Sequence, residues 1–367
     1  DQFAKRFTGL VRQHRKMDAQ QLNTVSTARV FTADEALRLS IVKFRKAIRT
    51  LSDLPTFKVA ALGLAREIFQ PFLSDAEIRE TSRLIIVPSA YLANVPFEAL
   101  VLTETGNDFA HLEYLFTRLP ISYAPSVSAL KEIRRSETSR GSPRTATAPV
   151  LLVGDPVYAS TETASGPTTG LEPLPGTRVE IARIAGLYRG NPQTPDIRLG
   201  AEASESFIKK ASANGSLARF PIVHFAVHGI MPGQVESCSE PCLALSTSVD
   251  AAEDGFLTMS EIFGLRLDAA LIVLSACNTG VVDVALPNLE ALSGFARAFF
   301  HAGARRLLLT LWSISDTATV EFMSSFYAHL LRADRPLEAL WEARTRMLSI
   351  PGLAHPFFWA PFVLIGE

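Results

Sequence analysis

From Phe3 to about Leu73 apolar residues recur at spacings of three and four, as in Leu37, Ile41, Phe44 and Ile48. That is the period of a helix burying one stripe, so a helical N-terminal segment is predicted over residues 1–75. A short β-branched run, Arg83 to Val87, ends in Pro88 and Ser89 and reads as a strand; Ala93 to Leu100 then reads as a turn leading into a helix. Between Thr138 and Pro149 the chain is rich in Ser, Thr, Pro and Arg without hydrophobic period, which marks the best domain boundary.

Beyond that boundary the pattern changes. Val150 to Val153, Ile222 to Val227, Leu271 to Leu274, Arg306 to Leu311 and Phe362 to Ile365 are apolar runs of the kind buried on both faces of a parallel sheet. Between them lie helical stripes: Leu292, Phe295 and Phe299; Val320, Met323, Tyr327 and Leu330; and Leu337, Leu340, Trp341 and Leu348, the last opening near Pro336. Strands alternating with helices predict a doubly wound α/β domain over 149–367. Two long irregular stretches, Tyr158 to Leu174 and Gly229 to Gly255, are expected to line a site or to move. No internal repeat of helical-hairpin length is present.

Length and charge narrow the function. A chain of 367 residues exceeds one ordinary core. A formal net charge of -1 supplies no general attraction for nucleic acid or an anionic membrane, which leaves protein or peptide as the expected partner. No apolar run is long enough to span a bilayer and no signal-peptide layout opens the chain, so a cytoplasmic protein is expected. Cys238, Cys242 and Cys277 are too few, and of the wrong parity, for a disulfide framework. The first residue is Asp1 rather than Met, as expected of a piece of a longer chain.

In open parallel sheets chemistry gathers at the carboxyl ends of strands. Ile222 to Gly229 ends in His228, and Leu271 to Gly280 carries Cys277 just past its apolar run. If these strands are neighbours, an imidazole and a thiol face each other, the geometry of a Cys/His nucleophile pair. The imidazole favours the thiolate and then returns a proton to the leaving amine. The backbone N–H groups of Gly229 and Cys277 are candidate oxyanion donors. His224 is expected to be a hydrogen-bonded core histidine, about 13 Å along the strand from His228. There is no dinucleotide fingerprint, phosphate loop, HExxH or GxSxG motif, and Cys238 and Cys242 lack nearby histidines for a zinc site. No cofactor or metal is expected.

The run His224-Phe225-Ala226-Val227-His228-Gly229, followed by Leu274-Ser275-Ala276-Cys277-Asn278-Thr279-Gly280, resembles the two active-site motifs of the CHAT family of caspase-like peptidases. More distantly it is similar to separase. Further family landmarks follow in order: Val87-Pro88 with Pro96-Phe97-Glu98-Ala99-Leu100, Tyr123-Ala124-Pro125-Ser126, Val153-Gly154-Asp155-Pro156, Leu174-Pro175-Gly176-Thr177, Leu311-Trp312 and Trp359-Ala360-Pro361-Phe362. The resemblance covers about residue 80 to the C-terminus. It implies a caspase-haemoglobinase fold, with a mostly parallel sheet sandwiched by helices. It also implies a smaller, non-catalytic pseudo-peptidase-like domain over 76–148, and a catalytic Cys277 with His228. Asn278 departs from the Glu that many relatives carry after the cysteine. Asp155 and Asp316 lie past strand ends, where a buried carboxylate selects a basic P1 residue, with Ser275 and Trp312 as further lining candidates. Their plainer roles are a turn for Asp155 and an N-cap for Asp316. The implied partners are a protein substrate and an activating protein or TPR-type region. A catalytically silent scaffold of a signalling or defence complex is the rival expectation.

Overall fold

The computed structural model describes residues 33–69, 82–88, 92, 95–140, 149–158, 170–192, 194–232, 234–235, 238–247, 253–275, 289–312 and 314–366. The chain opens with α1 (Ala33–Arg49) and α2 (Leu54–Phe69), followed by β1 (Leu84–Ile86), α3 (Leu115–Arg118), β2 (Ile121–Tyr123) and α4 (Val127–Arg140). Then come β3 (Val150–Gly154), α5 (Pro175–Leu187), β4 (Asp196–Leu199), α6 (Glu205–Ala213) and β5 (Ile222–Ala226). Three short strands follow, β6 (His228–Ile230), β7 (Cys242–Ala244) and β8 (Phe256–Thr258), then α7 (Met259–Phe263) and β9 (Leu271–Leu274). The chain ends in α8 (Leu289–Ala302), β10 (Leu307–Thr310), α9 (Asp316–Ala333), α10 (Pro336–Leu348) and β11 (Phe362–Ile365).

Eight strands form one sheet in the order β1-β2-β11-β10-β9-β5-β3-β4. Every pairing is parallel except β10 with β11. The strand order reverses between β3 and β5, because the chain leaves β3 for the β4 edge and returns to build β5, β9 and β10 on the other side. Loops from β3 and β5 therefore diverge at their carboxyl ends, the place where such sheets form a crevice.

The central strands are buried throughout because both faces are covered. β3, β5 and β9 are buried at every position. Successive strand residues point to opposite faces. Phe225 meets Phe299 of α8, with ring centroids 6.3 Å apart, while His224 meets Tyr327 of α9 at 5.6 Å. Hence α8 covers one face and α9 the other. Helix α5 lies over β3, where a Cβ added at Gly154 would come within 2.9 Å of the Ile181 side chain.

The predicted unit at 76–148 contributes β1 and β2 to this same sheet, through the bond of β2 to β11. Among the described residues no separate N-terminal domain is set off, and the apolar residues of α1, α2 and α3 belong to the same core as those of the sheet. A buried charge pair explains part of this union. Arg344 of α10 donates to Glu98 Oε1 at 2.8 Å and to the Phe362 carbonyl at 2.5 Å, and the Tyr123 hydroxyl donates to Glu98 Oε2 at 2.7 Å. Both charged side chains are essentially without solvent contact. Burial pushes the Glu98 carboxyl up, and the Arg344 charge and Tyr123 hydroxyl pull it back. One short helical turn (Phe97–Ala99), β2, α10 and β11 are thereby keyed together.

The stretch Gly229 to Gly255, predicted as irregular, is instead built partly of β6, β7 and β8, a three-stranded antiparallel sheet. Three-residue strands are too short to leave a period-two signature. Residues 1–32 of the predicted helical segment lie outside the described residues.

Glu98→Ala is expected to cost about 3–5 kcal/mol in a denaturant melt, because it strands the Arg344 charge in the core. Replacing both partners, Glu98→Leu with Arg344→Met, is expected to recover most of that loss. An unchanged midpoint for Glu98→Ala would contradict the role given to this pair.

Candidate active site

Parallel register sets the site. Phe225 stands opposite Leu274, and the Ser275 N–H continues the ladder to the Phe225 carbonyl at 2.9 Å. β5 and β9 are thus adjacent and end together, the condition on which the Cys/His reading rests. Cys277 itself lies outside the described residues, two positions past Ser275.

His228 opens β6, immediately after β5, and is 2 % exposed. Its Nε2 lies 2.8 Å from the Glu172 carbonyl oxygen. A carbonyl only accepts, so Nε2 carries the proton and, in the neutral ring, the lone pair resides on Nδ1. Burial lowers the His228 pKa, and the hydrogen bond to Glu172 pulls it partly back. Tyr158 completes the support: its hydroxyl takes the His228 N–H at 3.4 Å and donates to the Ala244 carbonyl at 3.3 Å, with its ring 5.3 Å from the imidazole. Burial raises the Tyr158 pKa, so the phenol stays protonated and able to donate. Neither Tyr158 nor Glu172 was singled out in the sequence, although both lie in the long stretch expected to line a site.

Gly229 sits in β6 opposite Leu243. The two aspartates past strand ends meet at one place, the first turn of α5. Asp155 adopts a left-handed backbone (φ 48°) just after β3, tolerable for aspartate. Its N–H donates to Thr177 Oγ1 at 2.9 Å, and its carboxylate Oδ2 accepts from Arg178 Nε at 2.6 Å. Asp316 approaches from α9 so closely that a Cβ added at Gly176 would fall 2.0 Å from its Oδ2. The run Leu174-Pro175-Gly176-Thr177 is thereby explained: proline starts the helix, glycine admits Asp316 and threonine holds Asp155. The helix N-terminus favours both negative charges. Ser315, not Asp316, is the N-cap of α9, accepting from the Ala318 N–H.

Trp312 is buried, and its indole N–H donates to the Phe357 carbonyl at 3.0 Å. Ser275 turns its hydroxyl to the buried side and donates to Glu180 Oε1 at 2.6 Å. His224 is fully buried, with Nδ1 3.0 Å from the Tyr327 hydroxyl, the hydrogen-bonded core histidine that was expected.

Cys238 and Cys242 are joined as a disulfide, one short crosslink rather than a framework. Both are buried with Ile230, Ala244 and Phe256 in a small apolar cluster that Tyr158 and Leu171 pack against. The one group of three possible metal-ligating side chains among the described residues, Glu205, Glu253 and Glu261, surrounds the Lys209 ammonium at 3.2, 2.5 and 2.8 Å. The ammonium of Lys209 thus already contacts all three carboxylates. Among the described residues no helix is long and apolar enough to cross a membrane.

Because burial outweighs the Glu172 bond, His228 in a Cys277→Ala variant is expected to titrate below the free-imidazole value of about 6.5 when followed by NMR. A midpoint above that value would show that an unrecognised anion governs the ring.

Comparison with known proteins gives the chain its family. The human protein "Tetratricopeptide repeat protein 28" is 26% identical over 325 residues, covering 80% of this chain, and the mouse protein is equally similar. The chain spans 12% of the length of these relatives. Among solved structures, the Arg-specific cysteine proteinase gingipain R superposes with a TM-score of 0.47 at 11% identity, covering 91% of this chain and 74% of that one. The separase of the Saccharomyces cerevisiae separase–securin complex superposes with a TM-score of 0.43 at 11% identity, covering all of this chain and 22% of that one. The CHAT domain model matches residues 59–367, and the chain accordingly belongs to the CHAT domain family.

Proposed function

We propose that the chain is a caspase-like cysteine endopeptidase in which Cys277 is the nucleophile and His228 its acid/base partner. The observation that carries this reading is the anchoring of His228: Nε2 is committed to a backbone carbonyl, so Nδ1 is the nitrogen that exchanges a proton with a thiol. Chain length adds support. Cys277 follows Ser275, the last described residue after β9, by two positions, and an extended chain spans at most about 3.6 Å per residue.

In this mechanism the imidazole takes the thiol proton and Sγ attacks the scissile carbonyl carbon. The oxygen acquires charge, for which the Gly229 and Cys277 N–H groups are the proposed donors. As the C–N bond breaks, His228 gives its proton to the departing amine, leaving a thioester. Water then adds with His228 as base, and the acid is released. A thiol with a pKa near 8.5 is mostly protonated at neutral pH, which is why the imidazole is needed.

Specificity follows from the first turn of α5. The Asp155 carboxylate is engaged by Arg178, whereas Asp316 is exposed at the same turn rather than buried as the sequence expectation had it, which leaves it accessible to a cationic side chain. Asp316 is accordingly proposed to receive a basic P1 side chain, with Asp155 in support. The repeats named in the mammalian relatives suit activation by a repeat region or a partner protein.

Cys277→Ala is expected to abolish cleavage of a susceptible peptide, by at least about a thousandfold, with an unchanged melting temperature. Full turnover by that variant would reject the assignment. A peptide-library profile should show arginine or lysine at P1. Asp316→Asn is expected to lower kcat/KM for those substrates by about ten- to a hundredfold. A flat profile unaffected by Asp316→Asn would remove the acidic pocket. A folded protein that binds partners but neither cleaves peptides nor reacts at Cys277 would be a scaffold.

A further inference from the structure

The small antiparallel sheet that carries His228 also carries a crosslink that the chemistry above does not use. Strand residues two apart, and the residues directly opposite them, share a face of the sheet. His228 and Ile230 of β6 therefore share one with Ala244 and Cys242 of β7, and Phe256 of β8, opposite Ala244, lies on it too. Cys238 is joined to Cys242 there, and Tyr158, Leu171 and Val235 pack against the resulting apolar cluster. Two of these three residues lead to the imidazole. The Tyr158 ring lies 5.3 Å from His228, and its hydroxyl bridges the His228 N–H and the Ala244 carbonyl. Leu171 directly precedes Glu172, whose carbonyl holds His228 Nε2. Both restraints on His228 are thus seated on the cluster that the disulfide closes.

The crosslink is a poor staple for the fold as a whole. Its cysteines are 4 positions apart, and closing so short a ring removes little freedom from the unfolded chain. Its effect is local: it fastens Cys238, whose N–H donates to the Val235 carbonyl at 3.0 Å, to the first residue of β7. The reduced state is provided for as well. The Glu240 carbonyl oxygen lies 2.9 Å from Cys238 Sγ, so a thiol formed there has an acceptor. We propose that the Cys238–Cys242 pair is a redox latch on the His228 pocket: the disulfide holds Cys238 and Val235 against the cluster on which Tyr158 and Leu171 are seated, and reduction by a dithiol frees them and loosens both holds on the imidazole. Both cysteines are buried, so the reductant reaches the bond when this corner of the small sheet opens. One thiolate of the dithiol then attacks a sulfur and breaks the S–S bond, giving a mixed disulfide and a free cysteine thiolate; the second dithiol sulfur displaces the other cysteine. The dithiol leaves as its own disulfide, and its two protons end on Cys238 and Cys242. The latch acts on His228 and needs no position for Cys277; only its consequence for catalysis rests on the proposed dyad.

The test uses the full chain carrying Cys277→Ala, so that no third thiol exchanges with the pair. It is oxidised with diamide or reduced with dithiothreitol, and the state is checked by intact mass. NMR follows the titration of the His228 imidazole and the exchange of its amide. In the oxidised chain the midpoint should lie below the free-imidazole value of about 6.5, and reduction should raise it toward that value while speeding exchange of the His228 N–H by at least about tenfold. Cys238→Ser with Cys242→Ser should match the reduced chain whether or not dithiothreitol is present, and Tyr158→Phe should exchange fast in both states. Superposable titration and exchange in the oxidised and reduced chain would overturn the latch. So would a pair that stays as thiols under diamide, or a loss of far-UV circular dichroism on reduction, which would make the crosslink a structural staple. Failure of the dyad is read elsewhere, from full turnover by Cys277→Ala, and leaves these outcomes unmoved.

Discussion

The parallel register of β3, β5, β9 and β10 is the constraint on which the site depends. Parallel strands bring their carboxyl ends to one edge, and among the described residues the candidate functional side chains leave the sheet there: Asp155 after β3, His228 after β5, Ser275 after β9, and Trp312 with Asp316 after β10. A one-residue slip would turn His224 and Ser275 away from α5 and α9. The register is itself held by strands that are buried at every position, because α8 and the pair α5 and α9 cover both faces.

Two buried polar contacts in this interior tie distant elements together. The Glu98–Arg344 pair links segments 246 residues apart. The Ser275–Glu180 bond spans 95. Such contacts are poor sources of net stability, since desolvation offsets their attraction, but they reject alternative packings by leaving a charge unpaired. In this chain they lie where the N-terminal elements join the sheet and where α5 meets the strand ends. Those are the two places where a shifted packing would cost most in function.

Much of this was legible in the sequence, and the exceptions have a common cause. β3, β5, β9, β10 and β11 were readable because strands buried on both faces are continuous apolar runs. Helices α8, α9 and α10 were readable from stripes at helical spacing. β2 and β4 were not: each is three or four residues long, and β4 is an edge strand, Asp-Ile-Arg-Leu, with no apolar run. The antiparallel β6 to β8 sheet was hidden in the same way. At the site, the ends of β5 and β9 were readable from their apolar runs, whereas their adjacency was a condition the sequence left open and the sheet order meets. Glu172 was not, because it acts through a backbone carbonyl that any residue provides. Tyr158 and Glu180 were missed because their roles arise from contacts across 70 and 95 residues. A union of 76–148 with the main sheet was equally invisible, since the irregular run before β3 looks like a linker whatever it joins.

The most direct test of the central claim is a crystal structure of the chain after reaction with a peptidyl chloromethyl ketone carrying arginine at P1. The account predicts a thioether at Cys277 Sγ, His228 Nδ1 within hydrogen-bond reach of the trapped group, and Nε2 still on the Glu172 carbonyl. Attachment at another nucleophile, or a Cys277 packed inward and remote from His228 with no groove above it, would contradict it.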